Sequence, residues 1–250
     1  MPHVTFPAVG RMGNFLFECA TSIAYALKHE LNFTVPLHTT DAFWSPIYLT
    51  DLQDKSYDNN LEKIELWENG HEYQEIPFDE SWRQKNIIIH GYRQSEKYFK
   101  DYRSEILYLF NYPWKIEPIC SLHARYGDYL KIPGKHIIID EEYILSAIKY
   151  IKENTGIVRF KVYSDNIPLF IERHGKLYDF EYSLNTSEEQ DLIEMSCCHS
   201  HINSSSTFSW WSAWLNKNPE KIVVTPKDWF QRGWMNMNVN DIIPENWIKI

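Results

Sequence analysis

From Ile119 to Phe230 the chain alternates short apolar runs with amphipathic ones, and this alternation constrains the fold more than any other feature. Ile119-Cys120-Ser121-Leu122 reads as a strand ending in the polar cluster His123-Ala124-Arg125-Tyr126-Gly127-Asp128. Asp140 can cap a helix that turns Tyr143, Ile144, Ala147, Ile148 and Ile151 to one side. Val158 to Tyr163 is a second strand, closed by Ser164-Asp165-Asn166, and a short helix and a strand near Leu177 to Tyr182 follow. Strands alternating with helices predict an α/β fold on a parallel, doubly wound sheet. Ligands of such sheets bind beyond the carboxyl ends of the strands, where these polar clusters fall.

Residues 186–230 extend the pattern and add a third cluster. Thr186, Ser187, Glu188 and Glu189 open a helix whose apolar stripe is Leu192, Met195 and Cys198/His199. After His201-Ile202 comes Asn203-Ser204-Ser205-Ser206-Thr207, directly before the bulky run Phe208 to Leu215. A hydroxyl-rich strand-to-helix turn offers backbone N–H groups at the positive end of a helix, which suits a phosphate. An N-cap cluster on a buried helix is the plainer account of the same residues. Trp210, Trp211 and Trp214 read as packing rather than as a sugar platform.

The first half is less regular. Val4-Thr5-Phe6 is a strand candidate leading through Gly10-Arg11-Met12-Gly13-Asn14 into a helix with Phe15, Leu16, Cys19, Ala20, Ile23, Ala24 and Leu27 on its buried face. Residues 31–85 carry scattered aromatics, Pro46 and an acidic stretch, and are expected to be irregular with short helices. Asn86 to His90 is a buried strand, and Gly91 to Phe99 is expected to turn into a helix reaching about Phe110. Pro113 and Pro118 bracket a linker, dividing the chain into residues 1–115 and 116–250.

Composition narrows the function. The net charge is −9 and no basic block occurs, which argues against nucleic acid or an anionic membrane as the main partner. No apolar run is long enough for a membrane span and no signal-peptide pattern opens the chain, so a cytoplasmic protein is expected. Cys19, Cys120, Cys197 and Cys198 lack metal-ligand spacing and read as small buried hydrophobes.

Five segments, in order, resemble one family, the bacterial-type α-1,2-fucosyltransferases. They are GRMGNFLFECATSIAYAL from Gly10, GYRQSEKYF from Gly91, HARYGDY from His123, YSDN from Tyr163, and the stretch from Asp191 to Leu215. The chain departs from the family pattern at Phe15 (Gln in the family), Tyr126 (the second of two arginines), Ser205 (Asn) and Thr207 (Ser).

The resemblance implies a GT-B fold of two Rossmann-like domains: an acceptor-side domain (1–115) and a donor-binding domain (116–250). It implies an inverting, metal-independent transfer of fucose from GDP-fucose to an oligosaccharide or glycoconjugate acceptor, with O2 of a terminal galactose as the expected hydroxyl. Negative charge grows on the β-phosphate as GDP departs, and one fixed donor aimed at such charge is typically worth roughly 3 to 4 kcal/mol of barrier. Arg125 is the expected guanidinium, its planar fork matching phosphate oxygens. Ser206, Thr207 and Phe208 are expected to bracket the diphosphate, with Gly13 also on the donor side. His123 either faces the nucleotide or is a satisfied buried histidine. Asp165 and Asp191 either accept from guanine N–H groups or cap helices. Asn14 is expected at the donor–acceptor junction, and Asp128 acts in catalysis or holds the Arg125 loop. A transferase of another nucleotide sugar and a non-catalytic glycan- or nucleotide-binding protein are the alternatives.

Overall fold

The computed structural model describes residues 1–36, 56–109, 114–132, 134–231 and 238–250. The chain forms two compact units, Met1–Tyr112 with Met237–Pro244, and Pro113–Asn236 with Glu245–Ile250. Residues 237–244, expected in the second half, pack with the first. There Asp241 accepts from the Tyr73 N–H at 2.8 Å and pairs with Lys97.

The first unit is a four-stranded parallel sheet of order β2-β1-β4-β3, from β1 (His3–Thr5), β2 (Asn32–Phe33), β3 (Lys63–Leu66) and β4 (Asn86–Ile89). Helix α1 (Met12–Lys28) starts two residues before Asn14, the expected start. Gly10 adopts φ +88°, and the Phe15 N–H already reaches the Arg11 carbonyl at 3.0 Å. Strand β3 was not expected. Its Lys-Ile-Glu-Leu alternation is that of an edge strand, but it is only four residues long inside an acidic stretch. Residues 37–55, including Pro46, lie outside the described residues.

The helix expected from Gly91 does not form there. Gly91 (φ +95°) and Arg93 (φ +46°) are both left-handed, which no helix interior accommodates. Two short 3-10 turns follow, and α2 spans only Arg103–Leu109.

The second unit is a six-stranded parallel sheet of order β10-β9-β8-β5-β6-β7. Its strands are β5 (Glu117–Ala124), β6 (Phe160–Ser164), β7 (Glu181–Tyr182), β8 (Cys198–Ile202), β9 (Val223–Thr225) and β10 (Ile248–Lys249). Pro118 lies inside β5 rather than in a linker. It is tolerated because the β5–β8 register shifts between Glu117 and Cys120, where a missing N–H costs no ladder bond. Helices α3 (Glu141–Thr155), α4 (Ile167–His174), α5 (Glu188–Ser196) and α6 (Thr207–Leu215) connect the strands. Asp140 caps α3 by accepting from the Tyr143 N–H at 2.8 Å, and Gly156 closes it at φ +72°. A cap of this kind is worth about 1 kcal/mol. The apolar face expected of α3 packs with Cys120, Leu122, Phe160, Val162 and Ile202 in one core.

Candidate active site

In the second sheet the strand order reverses once. In the second unit the chain winds outward from β5 through β6 and β7, then returns to β8 on the other side of β5. The carboxyl ends of β5 and β8 therefore flank a switch-point crevice, where doubly wound sheets bind ligands. Two of the three polar clusters meet here. The His123 and Ser204 side chains join across the crevice, Nδ1 to Oγ at 2.8 Å, and the His123 ring lies 5.3 Å from that of Phe208. Burial pushes the His123 pKa down to about 4, so the imidazole is neutral at physiological pH.

Arg125 follows directly after β5, and its guanidinium is shared between two carboxylates. Nε and Nη2 donate to Asp128 Oδ1 at 3.2 and 2.7 Å, and Nη1 lies 3.0 Å from Asp165 Oδ2. Burial works against the Arg125 charge, but the carboxylates outweigh it and hold its pKa above the usual value. Arg125 in turn outweighs the burial that would raise Asp128, holding that carboxyl below its usual range. The Asp128 side chain is 46% exposed and that of Asp165 only 23%, so Asp128 is the partner more readily exchanged.

Asp165 also accepts the Tyr126 N–H at 2.9 Å, and a Cβ on Gly127 would stand 2.3 Å from its Oδ2. Only glycine admits this approach. Asp165 thus fixes the Arg125 loop and caps no helix; the cap of α4 is Asn166, which accepts from the Leu169 N–H at 3.1 Å. Asp191 lies in the first turn of α5 and accepts from Ser183 Oγ and Asn185 Nδ2, at 2.6 and 3.0 Å. It is not a cap either, since Ser187 caps α5.

Tyr126, at the position of the second motif arginine, is fully buried among Ala124, Tyr143 and Phe170 in the core of the unit. Its hydroxyl is buried without a hydrogen-bond partner among the described residues. The substitution therefore changes a core position as well as the local charge.

The hydroxyl-rich turn is a cap, with more besides. Ser206 caps α6, its Oγ accepting from the Phe208 N–H at 3.3 Å, and Ser209 Oγ donates to the carbonyls of Ser204 and Ser206. The Ser205 carbonyl accepts from Tyr129 Oη at 2.8 Å, and Ser205 Oγ donates to the Asp228 carbonyl. Thr207 takes part in none of these bonds, and it and Phe208 are half-buried. Asn203 is 1% exposed, yet neither atom of its side-chain amide has a partner among the described residues. Leaving such a group unpaired typically costs about 1 to 3 kcal/mol. Trp210, Trp211 and Trp214 are buried and pack ring on ring with one another, as expected of packing residues.

The second unit thus brings His123, Arg125, Asp128, Asp165 and the Ser206–Phe208 turn to one end of its sheet. Asp191 belongs to a separate cluster beyond β7. Asn14 and Gly13 lie in the first turn of α1, in the first unit. Ser204, Tyr129 and Asn203 lie in segments marked from the sequence but were given no individual role there. Ser204 had a legible signal, since it follows β8 as His123 closes β5.

Two parallel α/β units, each with a switch-point crevice, define the GT-B class of glycosyltransferase folds. A solved structure of that class, POFUT1 in complex with GDP, superimposes with a TM-score of 0.50 at 10% identity, covering 90% of this chain and 98% of that one. The chain belongs to glycosyl transferase family 11, whose model matches residues 3–250. It is 30% identical over 183 residues to the alpha-1,2-colitosyltransferase of Escherichia coli, an alignment covering 64% of this chain and 61% of that protein. It is 26% identical over 252 residues to the O-antigen biosynthesis glycosyltransferase WbnK of Escherichia coli, covering 90% of this chain and 76% of the relative. Among the described residues no helix is long and apolar enough to cross a membrane.

Proposed function

We propose that this protein transfers fucose from GDP-fucose to a hydroxyl of a glycan acceptor, O2 of a terminal galactose, by an inverting and metal-independent reaction. The observation that carries the reading is the Arg125 fork beside the capped α6 turn at the switch point of a family 11 chain. The N–H groups of the first turn of α6 and the Arg125 guanidinium address the diphosphate. As the glycosidic bond breaks, they stabilise the charge on the departing β-phosphate.

For this, Arg125 exchanges Asp128 for phosphate oxygens while Asp165 keeps the loop in place. The exchange trades one charge-assisted pair for another, so it avoids leaving the guanidinium buried and unpaired. His123 is uncharged here and acts as a neutral wall of the crevice, held by Ser204. The buried amide of Asn203 is a further group that a polar ligand atom could satisfy.

The test is mass spectrometry of lactose incubated with GDP-fucose and the protein. A gain of one deoxyhexose supports the reading, and its absence across a panel of galactose-terminated acceptors overturns it. A second reading, transfer of a different sugar, is favoured by the 30% identity to a colitosyltransferase. Stronger thermal stabilisation by another nucleotide sugar than by GDP-fucose decides for that reading.

A further inference from the structure

The first unit has a switch point of its own. The chain passes from β1 through α1 to β2 on one side, and β4 later takes the place on the other side of β1. The crevice at the carboxyl ends of β1 and β4 is flanked by the loop from Phe6 to Arg11 and the loop from His90 to Ser95. Both loops are strained in the same way. Ala8 (φ +58°) and Arg93 (φ +46°) are non-glycine residues in the left-handed region, a conformation that concentrates at functional sites.

A carboxylate inside the fold holds each loop. Glu18 accepts the Val9 N–H at 2.9 Å and Glu68 accepts the Arg93 N–H at 3.0 Å. Glu68 also packs on Gly91, where an added Cβ would fall 2.3 Å from the Glu68 Cβ. The product of this pinning is one contact. Gln94 Nε2 donates to Asn14 Oδ1 at 2.8 Å, from one side of the crevice to the other.

Each of these two amides spends one polar atom on the other. One NH₂ and one carbonyl oxygen remain, side by side, with no other hydrogen bond among the described residues, and both residues are half-buried. Exchanging O and N in both amides leaves the same remainder, so the conclusion does not depend on their orientation. A fixed donor beside a fixed acceptor complements two neighbouring hydroxyls of a sugar ring, one accepting and one donating. Both members of the pair are neutral amides, which bring no cation for an anionic phosphate and suit a polyol.

We infer that the Asn14–Gln94 pair at the first switch point binds the acceptor saccharide through two adjacent hydroxyls, with Glu18 and Glu68 as positioning residues. This rests on the glycosyl-transfer reading for the identity of the saccharide. Gln94→Ala, and Gln94→Met as an isosteric apolar second variant, are expected to raise KM for lactose at least tenfold while KM for GDP-fucose stays within twofold. Wild type should discriminate among monodeoxy galactosides at the two recognised hydroxyls, and both variants should lose that discrimination. Glu68→Ala should raise KM for lactose alone, with Glu68→Gln, which still accepts the Arg93 N–H, restoring it.

An unchanged KM for lactose with discrimination intact in both Gln94 variants overturns the inference while the transferase reading stands. If wild type transfers nothing from GDP-fucose, that reading fails and saturation-transfer NMR with lactose decides the site separately. A signal in wild type that is lost in both Gln94 variants upholds it. An equal signal in all three proteins, or none in wild type, overturns it.

Discussion

His123 Nδ1 and Ser204 Oγ meet at 2.8 Å across the point where the second sheet reverses its winding. The bond ties a side chain of β5 to the turn that opens α6 and, with the bond from Tyr129 Oη to the Ser205 carbonyl, positions the Arg125 loop against the α6 N-terminus. Asn14 and Gln94 make a tie of the same kind across the first sheet. Each unit therefore ties the two sides of its crevice together through side-chain hydrogen bonds.

Ser206 separates a cap from an anion cradle. Asp caps a helix as well as Ser does, but adds a negative charge where the phosphates are proposed to lie. Ser206→Asp is expected to melt within about 0.5 kcal/mol of wild type and to lose donor affinity at least tenfold, measured by titration with GDP. Ser206→Ala should cost about 1 kcal/mol of stability through the lost cap.

Arg125→Lys keeps the charge but not the fork that reaches Asp128 and Asp165 together. Steady-state kinetics with GDP-fucose and lactose should show kcat lower by about 100-fold or more, the scale of losing one preorganised donor. A kcat within threefold of wild type would remove Arg125 from the proposed role.

Tyr126→Arg restores the family arginine in sequence only. The side chain would enter the core formed with Tyr143 and Phe170, so urea unfolding should show a loss of several kcal/mol, with no gain in GDP affinity. Tyr126→Phe removes a hydroxyl with no partner among the described residues and should be neutral or more stable, by up to about 1 kcal/mol.

Glu18 gives the stability a pH dependence of definite sign. Burial, with a contribution from Glu68 and against the Val9 N–H, raises its pKa from 4.5 to about 8. The native state therefore keeps the proton through a range in which the unfolded chain has released it. Stability falls as pH rises between those values, by up to about 1.4 kcal/mol per pH unit. Glu18→Gln should abolish this slope. The difference in unfolding free energy between variant and wild type, measured from pH 5 to 8.5, isolates it from the opposite slope of buried histidines such as His123.

The second sheet was largely legible in the sequence because its strands are apolar and end in compact polar clusters. The first was less so. Lys63–Leu66 is a short edge strand whose pattern gains meaning only from pairing with Asn86–Ile89. The residues after Gly91 carry helix-forming side chains, but a bond from Glu68 holds the Arg93 backbone left-handed, a tertiary contact that local pattern cannot encode. Within the candidate site, Arg125 and the Ser206 turn were marked by strand-end position and resemblance. The double hold of Asp165 on Arg125 and Tyr126 was not, since it joins residues far apart in sequence only through the pairing of β5 with β6.

The order in which the chain is made differs from the order in which its units can be finished. Residues 1–112 leave the ribosome first, yet Asp241, which holds Lys97 and the Tyr73 backbone, is synthesised only after residues 113–236. The first unit therefore waits, incomplete, through the synthesis of nearly all of the second, and β10 joins its own sheet later still. A clean cut between Tyr112 and Pro113 strips the first unit of residues 237–244 and leaves them as a stray insert in the second, so a chimera that exchanges one unit must carry residues 237–244 with the first and 245–250 with the second.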